Sequence, residues 1–378
     1  MEFIKRFAYE KLKASVKPGK VALLYGPRRA GKTTLLEKLV EEQGKKEVLF
    51  VSGEDVLVQK SLSSQSIKTL RDFIGESKVL IVDEAHTIPQ IGLNLKLIVD
   101  NIKGVAVVAS ESASLALAQD ISEPLVGRKT EIMLYPLWAK EITAETKNYD
   151  LLSNIDDFLV YGSYPEVVTS KNRDSKQQYL MSLLGGYLFK DILAFEGVRG
   201  SDTLLKLLNL LAFQIGGQVS VAELASSLGI SHGLVSRYLD LFEKTFVIKR
   251  VGGFSRNLRK EIAKTSRWYF YDNGVRNAVI QNFSPVDVRG DVGPLWENYI
   301  FMERLKKAQY TGNFANRYFW RTYDKKEIDL VEEKEGKLFG FEIKYSPKKI
   351  NPPSDWFEAY PNASFEVISR DNFLSFII

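Results

Sequence analysis

The chain has 378 residues, a net charge of +5 and 45% apolar residues, a composition typical of a globular protein with more than one domain. It has no cysteine and only two histidines, His86 and His232, which excludes disulfides and thiolate metal sites and disfavours a histidine-based zinc or iron site. No apolar run approaches the about 20 residues that span a bilayer, and the start "MEFIKRFAYEKLKASVKPG" lacks the apolar core of a signal peptide. We therefore expect a cytoplasmic protein without a membrane segment.

Residues 20–135 alternate short β-branched runs with helical patterns, which is the arrangement of a parallel sheet covered by helices. Helices are predicted at 32–43, 64–75 and 91–103. The predicted strands are "KVALLY", "EVLFVS", "KVLIVD", "GVAVVAS" and "TEIMLY". The pattern predicts an α/β domain of the P-loop type.

A phosphate-binding loop is predicted between the first strand and the first helix of this region, where the chain fits G-x-x-x-x-G-K-[ST] in full. Glycines let backbone N–H groups turn toward phosphates at a helix amino end. Lys32 is predicted to reach the β- and γ-phosphates, and the Thr33 hydroxyl to bind Mg²⁺. We therefore predict ATP and Mg²⁺ as ligands. The predicted contact residues are Gly26, Pro27, Arg28, Arg29, Ala30, Gly31, Lys32, Thr33 and Thr34.

The run "KVLIVDEAH" places two carboxylates at the end of a buried strand, where open α/β sheets bind their ligands. Asp83 is predicted to hold Mg²⁺ through water. Glu84 is predicted to orient and activate the water that attacks ATP. The presence of Glu84 favours an ATPase over a protein that only binds nucleotide.

Two further residues are candidates for this chemistry, each with an alternative. Ser110, at the end of the next predicted strand, is predicted to position the attacking water, or to cap a helix that starts at Ser112. Arg128 is predicted to be an arginine finger for its own site or for a neighbouring copy, and a solvated arginine is the alternative. The finger in a neighbouring copy would require a homo-oligomer.

The segment "SVAELASSLGISHGLVSRYLDLFEKTFVIKRV" has helix–turn–helix spacing, and "FVIKRV" and "RWYFYD" are predicted to be the two strands of a wing. Residues 237–276 hold ten Lys or Arg and four Asp or Glu, so this basic window alone carries +6. We predict that Ser236, Arg237 and the wing arginines contact DNA. The alternatives are a solvated face, or a module that packs against the ATPase or a protein partner.

The run "KEIDLVEEKEGKLFGFEIKY" predicts a β-hairpin in which Glu335-Gly336 is a two-residue turn and Lys334 pairs with Lys337. Counting back along both strands places Asp329 opposite Glu342, on one face of the hairpin.

Carboxylates that lie directly opposite each other, at about 5 Å, repel unless a cation lies between them. We therefore predict a second Mg²⁺ site, with Lys344 beside it to stabilise a phosphorane or position water. The predicted ligands are Glu297, Asp329 and Glu342. The alternative is a solvated ion pair between Glu327 and Lys344.

Taken together, these motifs resemble the prokaryotic AAA-type ATPases that carry a C-terminal restriction-endonuclease-like domain of unknown function. The resemblance covers nearly the whole chain. It rests on "GPRRAGKTTLL", "LIVDEAHTIP", "LVGRKTEIMLYPL", "YGSYPEVV", "YLFKDI", the helix–turn–helix segment, "YFYDNG" and "YFWRTYDKKEIDL…GFEIK". It implies ATP hydrolysis, a winged helix and a PD-(D/E)xK-like core formed by Glu297, Asp329, Glu342 and Lys344.

The predicted architecture is α/β with four regions. They are a P-loop ATPase domain (1–145), a helical linker or lid (146–200), a winged-helix domain (201–284) and a restriction-endonuclease-like domain (285–378). The leading functional hypothesis is a nucleotide-driven switch that acts on DNA. The alternatives are an ATP-gated, Mg²⁺-dependent nuclease and an ATP-regulated adaptor that only contacts proteins.

Overall fold

The computed structural model describes residues 4–112, 124–143, 152–188, 201–256 and 265–378. The chain divides into two compact units. The N-terminal unit comprises Phe3–Pro136 and Lys244–Phe246, and the C-terminal unit comprises Leu137–Glu243 and Val247–Ile378. In the described ranges, no helix combines the length and the apolar character that crossing a membrane requires.

The N-terminal unit is built on a five-stranded sheet in which every described pairing is parallel. The strand order is β2-β3-β4-β1-β5, and all five predicted strands are confirmed. The strands are Val21–Tyr25 (β1), Val48–Ser52 (β2), Val79–Asp83 (β3), Ala106–Glu111 (β4) and Lys129–Met133 (β5). Strands β3 and β4 are buried throughout because helices cover both faces, which explains their continuous apolar sequence.

Helices pack around this sheet, and the one after the phosphate loop runs from Lys32 to Gln43 as predicted. The described helices of this unit are Phe7–Ser15 (α1), Lys32–Gln43 (α2), Val56–Leu62 (α3), Ile67–Ile74 (α4) and Ile91–Asn101 (α5). The sequence patterns did not predict α1 or α3. Asp55 starts α3, since its carboxylate accepts hydrogen bonds from the N–H groups of Leu57 and Val58.

The C-terminal unit begins with helices and ends in a mixed sheet. Its first described helices are Ala139–Thr143 (α6), Ile155–Tyr161 (α7), Pro165–Thr169 (α8), Arg173–Ser182 (α9) and Ser201–Phe213 (α10). The later ones are Val221–Leu228 (α11), His232–Lys244 (α12), Asn273–Val279 (α13), Val292–Thr311 (α14), Ser354–Ala359 (α15) and Phe373–Ile377 (α16). The predicted break between α11 and α12 is confirmed at Gly229, which has a φ of 65°. Ser231 caps α12, as predicted, by accepting a hydrogen bond from the N–H of Leu234.

One seven-stranded sheet, in the order β12-β11-β10-β9-β7-β8-β6, forms the core of the C-terminal unit. The strands are Gln218–Val219 (β6), Ile248–Gly253 (β7), Ser266–Phe270 (β8), Asn316–Arg321 (β9), Glu327–Lys334 (β10), Lys337–Ile343 (β11) and Ser364–Ile368 (β12). Strands β7 and β9 are parallel neighbours through Gly252–Gly253 and Tyr318–Phe319. The sheet therefore takes strands from both sides of the predicted boundary at residue 284, and the division of the chain into four regions stays a prediction.

Some predicted features lie outside the described residues. They are the helix after Ser112, residues 146–151 and 189–200 of the helical region, and Arg259, Lys260 and Lys264 of the basic window.

Candidate nucleotide site and carboxylate cluster

The phosphate loop depends on two glycines with positive φ. Gly26 has a φ of 154°, and a Cβ there would overlap the carbonyl oxygen of Leu134, so only glycine fits. Gly31 has a φ of 99° and immediately precedes α2. The amino end of a twelve-residue helix therefore follows the loop, where the helix dipole favours phosphate.

Lys32 and Arg6 are buried and attached to the backbone of this loop. The Lys32 ammonium donates hydrogen bonds to the carbonyl oxygens of Gly26 and Pro27, at 3.0 and 3.1 Å. The Arg6 guanidinium donates to the carbonyl oxygens of Ala30 and Tyr135, at 2.7 and 2.6 Å, and so stabilises the loop. Sequence reasoning missed Arg6, because it lies 24 residues before Ala30 in a segment without a motif.

The structure brings the two predicted Mg²⁺ ligands together. The Thr33 hydroxyl donates a hydrogen bond to Asp83 Oδ2 at 2.7 Å. A hydroxyl and a carboxylate at the amino end of a helix are oxygen donors of the kind that Mg²⁺ prefers, so these residues fit the ion. Thr33 and Thr34 are also exposed, so the ligand side of the loop is accessible.

Ser110 lies near the end of β4, as predicted. It is fully buried, and its hydroxyl donates to Asp83 Oδ1 while accepting a hydrogen bond from the Glu84 N–H at 3.0 Å. Its proton is directed at Asp83, and a contact between Ser110 and the attacking water stays a prediction. Ser110 holds Asp83 and the backbone of Glu84 in place.

The Glu84 side chain is held by Ser112, which sequence reasoning did not assign to the site. The Ser112 hydroxyl lies 2.6 and 2.8 Å from the two carboxylate oxygens of Glu84. His86 Nδ1 lies 3.3 Å from Glu84 Oε2, and burial lowers the pKa of His86 below its ordinary value although Glu84 opposes the shift. The alternation of side chains along β4 places Ser110 and Ser112 on the same face, and this could have identified Ser112.

Glu111 lies between these serines and is only 1% exposed. Within the described residues, neither of its carboxylate oxygens has a hydrogen-bond partner. Burial, and then the charge of Glu84, raises the pKa of Glu111 to about 8. Burial therefore favours the protonated form of Glu111.

Arg128 lies at the far edge of the sheet from the phosphate loop. It precedes Lys129, which pairs with Val21 at the start of β1, whereas the loop follows Tyr25 at the end of β1. A five-residue strand is about 16 Å long. Its guanidinium pairs with Asp100 at 2.6 Å, and an action of Arg128 on its own site stays a prediction. A role in a neighbouring copy stays a prediction.

In the C-terminal unit, the predicted hairpin register is confirmed at its turn. Lys334 pairs with Lys337, and both Glu335 and Gly336 have positive φ, as a two-residue turn of this type requires. Asp329 and Glu342 are both buried, on β10 and β11 respectively. The hairpin thus supplies the predicted carboxylates from neighbouring strands.

The cation among these carboxylates is an arginine, which sequence reasoning did not predict. Arg267 Nη1 lies 3.0 Å from Glu297 Oε1 and 3.0 Å from Asp329 Oδ1, and Nη2 lies 3.2 Å from Glu327 Oε2. Lys344 lies 3.2 Å from Asp329 Oδ2 and 2.7 Å from Glu342 Oε1. The alternative pairing of Lys344 with Glu327 is not the arrangement that forms.

We call Arg267, Glu297, Glu327, Asp329, Glu342 and Lys344 the carboxylate cluster. Glu297 also accepts a hydrogen bond from the Tyr269 hydroxyl at 2.6 Å. Burial, and then the charge of Asp329, raises the pKa of Glu297 to about 8. In the part of the chain that the structure describes, no group of three histidine or carboxylate side chains is arranged to hold a metal ion. The predicted second Mg²⁺ site is thus brought together in space but arranged around an arginine.

The basic window presents fewer cations to solvent than its composition indicates. Arg267 and Arg276 are buried, and Arg276 donates to the Ala212 carbonyl oxygen at 2.7 Å and pairs with Asp291. Ser236 and Arg237 are exposed on α12, as predicted. Arg267 and Arg276 therefore belong to the interior, and DNA binding by the rest of the window stays a prediction.

Comparison with known protein families assigns three regions. Residues 18–143 match the AAA domain, residues 152–286 match a domain of unknown function, DUF8612, and residues 292–358 match another, DUF4143. The α/β fold and the AAA-type domain are therefore confirmed. The descriptions of these three families name no nuclease, winged helix or DNA-binding activity, so those assignments stay predictions.

The chain is also similar to proteins of Mycobacterium tuberculosis and Methanocaldococcus jannaschii. It is 28% identical to an uncharacterized protein of Mycobacterium tuberculosis over 344 residues, which cover 90% of this chain and 74% of the relative. It is 23% identical to an uncharacterized protein of Methanocaldococcus jannaschii over 333 residues, which cover 83% of this chain and 72% of the relative.

Among solved structures, the chain has a weak likeness to the Pif1 helicase from Candida albicans. The TM-score is 0.29, with 16% identity, over 41% of this chain and 44% of the other. For AMPPCP-bound DnaA from Aquifex aeolicus the TM-score is 0.24, with 17% identity, over 62% of this chain and 84% of the other. Likenesses at these TM-scores say nothing about the activity of this chain.

The phosphate loop lies within residues 18–143, which match the AAA domain, and this match implies nucleotide binding with Mg²⁺. This domain is followed by the two domains of unknown function.

Proposed function

We propose that this protein hydrolyses ATP and uses the reaction as a switch that acts on DNA. The proposal of ATP hydrolysis rests on the position of Glu84. Its carboxylate follows Asp83 at the carboxyl end of β3, and Asp83 lies within 2.7 Å of the Thr33 hydroxyl. A general base therefore lies beside the predicted metal ligands, at the edge where the phosphate loop ends.

Each residue of the site has a definite task in this proposal. The backbone N–H groups of the loop and the Lys32 ammonium bind the phosphates, and Thr33 and Asp83 hold Mg²⁺. When bound, Mg²⁺ neutralises charge that develops on the phosphate oxygens. Glu84 orients a water molecule and accepts its proton, while Ser112 fixes the Glu84 carboxylate.

The test is the Glu84→Gln variant, which removes the base and keeps the size of the side chain. We expect the rate of ATP hydrolysis to fall about 100- to 10,000-fold, with ATP affinity close to wild type. Lys32→Ala should instead lose ATP affinity, by about 100-fold for a lost charged hydrogen-bond donor. The measurements are phosphate release and binding of a fluorescent ATP analogue.

The exposed helix residue Glu37 provides a matched control, since Glu37→Gln changes the same chemical group away from the loop. It should hydrolyse ATP at the wild-type rate. Unchanged hydrolysis by Glu84→Gln would contradict the proposed base, and unchanged ATP affinity of Lys32→Ala would contradict the phosphate site.

The proposed action on DNA rests on the order of elements in the C-terminal unit. Helix α10, strand β6, helices α11 and α12, and the antiparallel pair β7 and β8 follow one another, and β6 pairs with β8. This is the element order of a winged helix, whose third helix enters the major groove. Arg237 is exposed on that helix, α12, where it would contact a phosphate.

A salt titration of DNA binding tests the proposed action on DNA. Binding of the wild-type chain to a duplex of mixed sequence should weaken with salt, with a slope of about −0.9 for each phosphate contacted. Arg237→Ala should reduce the magnitude of that slope by about 1. Lys60→Ala, which removes an exposed charge from α3, is the control and should leave the slope unchanged. Wild-type protein that binds no DNA would favour the protein adaptor instead.

A further inference from the structure

The carboxylates of the cluster come from three elements of the C-terminal unit. Glu297 lies on α14, Glu327 and Asp329 lie on β10, and Glu342 lies on β11. Asp329 is 4% exposed and Glu342 is 8% exposed, so water screens their charges poorly. Such a group of carboxylates needs a cation to be stable.

Arg267 supplies that cation from β8. Its side chain is 5% exposed, and one nitrogen, Nη1, lies 3.0 Å from both Glu297 Oε1 and Asp329 Oδ1. The guanidinium also lies over the ring of Phe319, 5.1 Å from the ring centroid. Contacts with two carboxylates and an aromatic face hold this planar group in one orientation.

A divalent ion bound by Glu297 and Asp329 would need the space that Nη1 fills. Mg²⁺ lies about 2.1 Å from its ligand oxygens in octahedral geometry. The other oxygen of Asp329, Oδ2, already accepts hydrogen bonds from the Ile343 N–H at 3.0 Å and the Lys344 ammonium at 3.2 Å. Both oxygens of Asp329 are therefore committed to protein donors, and the arrangement does not fit a metal ion.

We propose that Arg267 is the built-in counter-ion of this cluster, so that the cluster binds no divalent cation while the guanidinium is present. The C-terminal unit then contributes a stable scaffold and a contact surface, and not a metal-dependent cleavage site. The same geometry leads to a second consequence. Removing the positive charge at position 267 leaves Glu297 and Asp329 without their shared partner and creates a site for a divalent cation.

Titration with Mn²⁺ of the full chain without nucleotide tests both consequences, with free Mn²⁺ followed by electron paramagnetic resonance. The Asp83→Asn background removes the metal ligand of the phosphate site and leaves the cluster intact. In this background we expect no bound Mn²⁺ up to millimolar concentrations. Bound Mn²⁺ would overturn the proposal, whatever the behaviour of the other variants.

Adding Arg267→Gln should produce one bound Mn²⁺ per chain, and adding Asp329→Asn to that variant should remove it. Arg267→Lys keeps the positive charge and is the matched control, for which we expect no bound Mn²⁺. Circular dichroism and thermal melting establish which variants are folded. A folded Arg267→Gln variant that binds no Mn²⁺ would overturn the proposal. If that variant is unfolded, the Asp83→Asn titration alone decides whether the cluster excludes divalent cations.

Discussion

In the N-terminal unit, hydroxyl groups hold the carboxylates of Asp83 and Glu84, whereas in the C-terminal unit Arg267 and Lys344 hold those of Asp329 and Glu342. A hydroxyl is a neutral donor, so the carboxylates of the first site keep a net negative charge that a divalent cation can neutralise. In the C-terminal unit a guanidinium and an ammonium balance part of the carboxylate charge within the fold. Carboxylates at strand ends therefore do not define a metal site until the charge of their partners is known.

The two sites should differ in what holds them stable. The ATP site is built to receive a ligand, and its carboxylates contribute little to folding when the ligand is absent. In the carboxylate cluster, Arg267 and Lys344 already pair with the carboxylates without a ligand, so these ion pairs belong to the stability of the fold. Removing one carboxylate from each site, and comparing the loss in free energy of unfolding, tests this difference between the sites.

The largest expected effect is that of Asp329→Ala on stability. It removes one of the three carboxylates that the buried Arg267 contacts and one of the two that Lys344 contacts, which should lower the free energy of unfolding by about 3 kcal/mol. Asp83→Ala removes only hydrogen bonds from neutral hydroxyls and should cost about 1–2 kcal/mol. Urea unfolding without nucleotide or metal measures both. Equal losses of unfolding free energy in the two variants would contradict the proposed difference between the sites. Asp324→Ala, at an exposed turn, provides the control.

The contiguous motifs explain how much of the ATP site could be predicted. The phosphate loop lies within eight consecutive residues, and backbone geometry alone determines how its glycines and the helix after it are arranged. The hairpin turn at Glu335-Gly336 was predictable for the same reason, since two adjacent residues with positive φ determine the register. Local chemistry thus predicted both carboxylate pairs.

The partners of those carboxylates could not be predicted in the same way. Arg267 is 62 residues from Asp329, and Ser112 is 28 residues from Glu84. No local periodicity connects such residues, because the packing of separate strands brings them together. A basic window read from composition therefore counted Arg267 as a surface charge, although it is buried within the cluster.

Glu111 differs from the carboxylates of both sites, because it has neither a hydroxyl nor a cation as a hydrogen-bond partner among the described residues. Its pKa is raised to about 8 by burial, so it remains protonated in the folded state while the unfolded chain ionises at an ordinary pKa. This contribution to stability is fully present below the unfolded pKa and is lost as the pH rises through about 8.

We therefore expect wild-type stability to fall more steeply than that of Glu111→Gln between pH 5 and pH 9, by on the order of 3 kcal/mol. The amide cannot ionise, so the variant should be the more stable protein at the alkaline end. Urea unfolding at a series of pH values measures the difference, with the exposed Glu41→Gln as the control. Parallel curves for wild type and Glu111→Gln would show that the Glu111 carboxyl titrates normally.

The smallest expected effect is that of Ser112→Ala, which tests whether a hydroxyl orients Glu84 for catalysis. Loss of one hydrogen bond of about 1 kcal/mol should lower kcat for ATP hydrolysis about fivefold, with KM unchanged. Ser112→Thr keeps the hydroxyl and should restore most of the rate.

Ser110→Ala gives the matched contrast, because Ser110 donates to Asp83 and not to the Glu84 carboxylate. It should raise the Mg²⁺ concentration needed for half-maximal activity, whereas Ser112→Ala should leave that concentration unchanged. Ser110 on β4 would then support the metal ligand, and Ser112, just past the end of β4, would support the base. If both variants changed kcat and the Mg²⁺ requirement equally, the hydroxyls would act only by stabilising the end of the strand.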